Sequence, residues 1–159
     1  MKDIDYLIVN IAILFSGCSV HHTPATYRQQ FGNKMDAIQV KESYSSVVKR
    51  LTTLAHKCFS DLHVNYSGGG GSKSVTTYKV KTESTGKQSS VIKIPLQNDS
   101  KTWGMSTGGA ESYAAIIDIQ AVDAKTTKVK PYYRQKFVGK AISMWVKKET
   151  DACPEVGLY

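Results

Sequence analysis

The chain has 159 residues and a formal net charge of +8, with 21 Lys and Arg against 13 Asp and Glu. This length gives one domain with a real core rather than several. The basic excess points to anionic partners such as lipid headgroups, lipopolysaccharide, glycan polymers or nucleic acid, and it also fits a solvated lysine-rich surface.

The chain opens with a short apolar run. Tyr6–Phe15 reads YLIVNIAILF, ten residues broken only by Asn10. A membrane-spanning helix needs roughly 20 apolar residues, so this length suits the core of a signal peptide. Leu14-Phe15-Ser16-Gly17-Cys18 follows, with small residues directly before a cysteine. This stretch resembles the lipobox of bacterial lipoproteins, although Asp3 and Asp5 beside Lys2, and Phe15 in place of leucine, depart from the family pattern. The resemblance implies that residues 1–17 are removed and that Cys18 becomes a lipidated first residue. Ser19, where aspartate would favour the inner membrane, implies the outer membrane. Cleavage takes away one positive charge (Lys2) and two negative ones (Asp3, Asp5), so +8 becomes +9.

An exported compartment places nucleic acid last among the anionic partners. It also bears on the other cysteines. Once Cys18 carries lipid, Cys58 and Cys153 remain, and in an oxidising compartment such a pair reads as one disulfide. Two buried free thiols are the alternative.

Residues 18–41 are polar and unpatterned, which predicts a flexible tether with a short turn near Met35–Ile38. Tyr44, Val47, Val48, Leu51, Leu54, Ala55 and Cys58 then recur at helical spacing and predict an amphipathic helix over 43–59. Alternating residues predict strands around Leu62–Tyr66, Tyr78–Val80 and Ile92–Leu96, with Pro95 implying an edge position or a strand end. Residues 98–110 look like a long polar loop carrying Trp103. Tyr113–Val122 is the most apolar strand and is predicted to be central. A turn at Asp123–Lys125 leads to a last strand near Thr127–Lys130. Pro131 then introduces a second helix over about 133–149, with Phe137, Val138, Ala141, Ile142, Trp145 and Val146 as its stripe.

The predicted class is α+β: an antiparallel sheet of about five strands, with an N-terminal and a C-terminal amphipathic helix on one face. The domain occupies 42–159. This order resembles helix-grip domains and small bacterial lipoprotein families of unknown function, with Cys58, Trp145 and Cys153 as the matching positions. That resemblance implies no activity.

Gly104-Met105-Ser106-Thr107-Gly108 matches the G-x-S-x-G nucleophile elbow, but every histidine lies upstream of it, and a strand rather than a helix is expected after it. Gly68–Gly71 with Ser72-Lys73-Ser74 lacks the glycine that a phosphate loop needs before lysine. His21-His22 and the His56/His63 pair lack the neighbouring carboxylates or thiolates of a metal site. No catalytic set, metal or cofactor is therefore implied.

The candidate binding residues are Lys79, Lys81 and Lys93, which project from the wet face of the sheet if Tyr78, Val80, Ile92 and Ile94 face the helices. Lys128 and Lys130 extend that patch. Edge protection by lysine is the competing explanation. Trp103 is a further candidate, suited to a sugar or a partner surface, or to lidding the core. The expected function is a non-enzymatic, lipid-anchored envelope lipoprotein that binds a protein or an anionic envelope polymer. The alternatives are a small-ligand or anionic-lipid carrier, and a phage- or plasmid-borne exclusion or immunity lipoprotein.

Overall fold

The structure, a computed structural model, describes residues 23–32, 34–60, 62–67, 73–102, 105–107 and 112–155. Cys18 and Trp103 lie outside the described residues.

The expected tether is folded over much of its length. Thr23 and Pro24 start helix α1, Pro24–Phe31. Thr23 is extended, and its Oγ1 accepts the Thr26 N–H at 3.2 Å. Pro24 occupies a first-turn position, where its missing N–H costs nothing. Tyr27 and Phe31, one turn apart, are both buried. Next comes β1, Ile38–Val40, where only a turn was expected. It pairs antiparallel with β8, Thr127–Tyr133.

The Tyr44–Cys58 stripe forms α2, Tyr44–Phe59, and Val47, Leu51, Leu54, Ala55, Cys58 and Phe59 are buried on one side. The remaining strands are β2 (His63–Ser67), β3 (Lys73–Tyr78), β4 (Lys81–Gly86), β5 (Ser89–Thr102), β6 (Met105–Thr107) and β7 (Ser112–Ala121). Helix α3, Lys136–Lys147, closes the order.

The architecture is α+β, with one antiparallel sheet ordered β1-β8-β7-β5-β3-β2. β4 and β6 also pair with β5, which makes eight strand segments among the described residues instead of about five. The additional segments come largely from residues read as loop. β3 pairs with 96–101, from Tyr78↔Leu96 to Lys73↔Lys101, and this carries β5 through its polar stretch. β6 then returns alongside Ser100–Thr102. β7, flanked by β5 and β8, is central, as its apolar content implied.

Two prolines are placed differently from expectation. Pro95 lies inside β5, a strand paired on both sides, at the register shift between Ile94 and Pro95. A bulge relieves the ladder of one N–H, so proline is tolerated there. Pro131 belongs to β8 and does not start a helix. It stands opposite Ile117, two residues beyond Val129, the last β8 residue paired with β1, so β8 is a sheet edge on that side. The helix begins only at Lys136.

The two amphipathic helices cover one face, as expected. Ile92, Ile94, Ile117 and Val129 from the sheet, Leu51 from α2, and Ile142 and Trp145 from α3 all have no exposed surface. A Cys58–Cys153 disulfide, Cα–Cα 5.2 Å, ties the end of α2 to the segment after α3. Arg50 locks the same two helices. It forks onto Glu42 at 2.6 and 3.0 Å and donates to the carbonyls of Trp145 and Val146 at the end of α3. These hydrogen bonds, with Lys148 beside them, hold the Glu42 carboxyl below its ordinary range.

The opposite face of the sheet is not fully wet. There α1 buries Tyr27 and Phe31 against Val91 and Ile116, with Tyr113 and Tyr132 packed at the margins.

Candidate functional site

The α1-bearing outer face carries the charged residues, and strand register decides which of them meet. β3 and β4 run in tandem along the same edge of β5, because β3 pairs with 96–101 and β4 with 89–93. Lys79 lies at the seam, its N–H bonded to the Pro95 carbonyl at 3.0 Å. Lys81 stands directly opposite Lys93, and Glu83 opposite Val91. Side chains alternate along strands, so Lys81, Glu83 and Lys93 share the outer face. Thr82, opposite Ile92, points to the other face and meets Thr52 of α2.

These positions form a cleft of about 210 Å³ lined by Thr77, Lys79, Lys81, Glu83, Lys93 and Tyr113, among others. The lysines singled out from the sequence thus do converge. Lys93 Nζ reaches Glu83 Oε2 at 2.6 Å, with Lys93 21% and Glu83 48% exposed. An ion pair this open to water holds weakly. Lys79 and Lys81 are exposed, and among the described residues their ammonium groups have no hydrogen bond or ion pair. Like charges facing each other across strands repel. The Lys81–Lys93 pair therefore leaves an electropositive spot that a bound anion would relieve. Among the described residues, three lysines face one carboxylate there.

Lys128 and Lys130 do not join this patch. They line a second cleft, of about 700 Å³, together with Arg28, Asp118, Gln120 and Tyr132. α1 contributes Arg28 to the lining of this second cleft. The Tyr27 hydroxyl donates to the Ala114 carbonyl at 3.1 Å, and burial pushes that phenol well above its ordinary range. Arg28 forks onto Asp118 at 2.9 and 2.6 Å, which raises the pKa of the guanidinium further. Burial and the Asp118 charge both raise the Tyr132 phenol. Lys130 Nζ is engaged by the Met35 carbonyl at 2.5 Å. Most of the charge in this second cleft is thus already committed within the fold.

Lys136, Lys140 and Lys147 rim a third hollow, beside Met35, Tyr133 and Met144 on α3. His56 hydrogen-bonds Ser60, and His63 hydrogen-bonds Thr77. Met105–Thr107, the centre of the G-x-S-x-G match, is strand β6 and not a strand-to-helix turn. After residues 68–72 the chain enters β3, where a phosphate loop would need a helix.

Glu83 and Tyr113 were not singled out from the sequence. The Lys81-x-Glu83 spacing already places that pair on one face, but which β5 residue faces them depends on a register the sequence does not display. No family model, curated protein or solved structure matches the chain.

Proposed function

We propose that this protein is a non-enzymatic, lipid-anchored lipoprotein of the bacterial outer membrane. Its domain is a binding module for an anionic component of the envelope. The observation that carries the reading is the convergence of Lys79, Lys81 and Lys93 on one cleft with Glu83 as the only carboxylate among the described residues of its lining. The Cys58–Cys153 disulfide supports an oxidising, exported compartment. The anchor rests on the lipobox-like Leu14–Cys18 stretch. No helix among the described residues is long and apolar enough to cross a membrane. A carrier of small ligands needs a concavity between sheet and helices, where Ile92, Ile94, Ile117, Ile142 and Trp145 are fully covered.

Titration of the full chain with fluorescent dextran sulfate, followed by anisotropy, tests the binding reading. Lys79→Ala with Lys81→Ala should weaken binding at least fivefold, and Lys49→Ala on α2 should leave it unchanged. Equal affinity for all three proteins would remove the cleft from the function. Metabolic labelling with a clickable fatty acid tests the anchor, with label on the wild type and none on Cys18→Ala.

A further inference from the structure

The path of α1 specifies which anionic component the cleft meets. Tyr27 packs on Tyr113 with ring centroids 5.5 Å apart, and Tyr113 lines the lysine cleft. At the other end of α1, a Cβ on Gly32 would lie 3.6 Å from the Tyr132 ring, and Lys34 donates to the Arg134 carbonyl. α1 therefore crosses the outer face over β7 and β8, with Arg28 also on Asp118 and Tyr132. Thr23 stands one turn before Tyr27, whose N–H bonds the Thr23 carbonyl at 2.9 Å. The chain thus joins the domain on the same outer face of the sheet that carries the lysine cleft.

Five residue steps separate Thr23 from Cys18. Fully extended, they span at most about 18 Å. A lipidated Cys18 sits at the headgroup level, so this short lead holds the outer face of the domain, which carries both α1 and the cleft, close to the bilayer. A tether running from 18 to 41 would have imposed no such limit. Each lysine at an anionic leaflet adds about a fivefold preference for it, within a Debye length of about 8–10 Å.

We infer that the Lys79–Lys81–Lys93 cleft docks on the anionic phospholipid headgroups of the same membrane that holds Cys18. The inference rests on the lipidation of Cys18 proposed above and names the anionic component that the binding module engages. Docking fixes the outer face of the sheet towards the bilayer and turns α2 and α3 away from it. Lys93 keeps its contact to Glu83 until a headgroup phosphate competes for it, while Lys79 and Lys81 are free to meet phosphate directly.

The test uses the acylated full chain reconstituted into vesicles of phosphatidylcholine, with or without phosphatidylglycerol. A brief pulse of an amine-reactive reagent and peptide mass spectrometry then read each lysine. Lys79 and Lys81 should label several-fold more slowly on phosphatidylglycerol vesicles, with Lys49 and Lys140 unchanged. In the Lys79→Glu, Lys81→Glu variant, labelling of Lys93 on phosphatidylglycerol should rise to its rate on neutral vesicles. Equal labelling of Lys79 and Lys81 on both vesicles would overturn the inference, as would protection of Lys140 in their place. The N-terminal peptide separates the two proposals. An acylated Cys18 with unprotected lysines leaves the anchor standing and removes the docking, whereas an unacylated Cys18 removes both.

Discussion

Replacing Arg50 by alanine tests the lock between the two helices that cover the inner face. Its guanidinium makes four hydrogen bonds, two to the Glu42 carboxylate and two to the last-turn carbonyls of α3. Side-chain exposure is only 17% for Arg50 and 19% for Glu42, so solvent replaces these bonds poorly. Lys148 still reaches Glu42 at 2.9 Å, but it is 57% exposed and compensates little. Leaving partly buried acceptors without donors costs about 1 kcal/mol or more each, so Arg50→Ala should cost about 2–3 kcal/mol. For a domain of this size that corresponds to a melting point lower by about 6–12 °C. Arg50→Lys keeps the charge but not the fork, and should recover less than half of the loss.

The pH dependence gives a second readout of the same lock. The folded-state pKa of Glu42 is depressed, chiefly by the Arg50 hydrogen bonds. Its contribution is therefore fully present above the ordinary value of 4.5 and is lost as pH falls through the depressed folded value. Urea unfolding at pH 7 and at pH 3 should show wild type and Arg50→Ala converging in acid. A loss under 0.5 kcal/mol at pH 7, or a difference that persists unchanged at pH 3, would refute the account.

Further predictions follow from the helices and the crosslink. Gly139→Ala drives a Cβ into the ring of Tyr133, a buried residue whose hydroxyl is held by the Lys34 carbonyl. Despite the helix propensity gained, thermal melting should show a net loss of about 1–3 kcal/mol, and a gain would mean that the ring moves freely. Tyr27→Ala removes the central anchor of α1, a site worth about 3–5 kcal/mol. Trypsin should then cut at Arg28 before the rest of the domain opens, and a protected Arg28 would show α1 to be held by other contacts. Non-reducing peptide mapping of protein purified without reductant should link Cys58 to Cys153. Reducing that bond, with a sequence separation of 95, should cost about 4–5 kcal/mol in denaturant melts, and two free thiols in protein purified without reductant would contradict the pairing.

What could be read in advance follows the length and polarity of each element. α2 is legible because seven apolar positions keep helical phase over its full length, and six residues of the helix are buried as that phase requires. β7 is legible because its apolar content requires cover on both faces, which α1 on one side and α2–α3 on the other provide. α1 was missed because eight residues with Tyr27 and Phe31 as their only buried pair give too little period. The Thr23-Pro24 start was the available signal. The polar end of β5 has no apolar alternation at all, so its strand state comes from pairing with β3 and cannot be seen locally. The lysine cleft was half legible. Alternation places Lys81 and Lys93 on one face, but only the register sets them directly opposite.

The Cys58–Cys153 bond also has a topological consequence. It closes the chain from 58 to 153 into a covalent ring that contains every strand except β1, while α1, β1 and most of α2 form a single stem outside it. A protease cut anywhere inside the ring, such as between Ser67 and Lys73, opens the circle without dividing the molecule. Both new ends stay attached to the stem and to whatever the stem is fastened to. Parting the domain from anything joined to its N-terminal side requires a cut in the stem, which α1 and β1 hold against the sheet. If the stem is anchored as proposed, the crosslink would keep a nicked domain at that anchor.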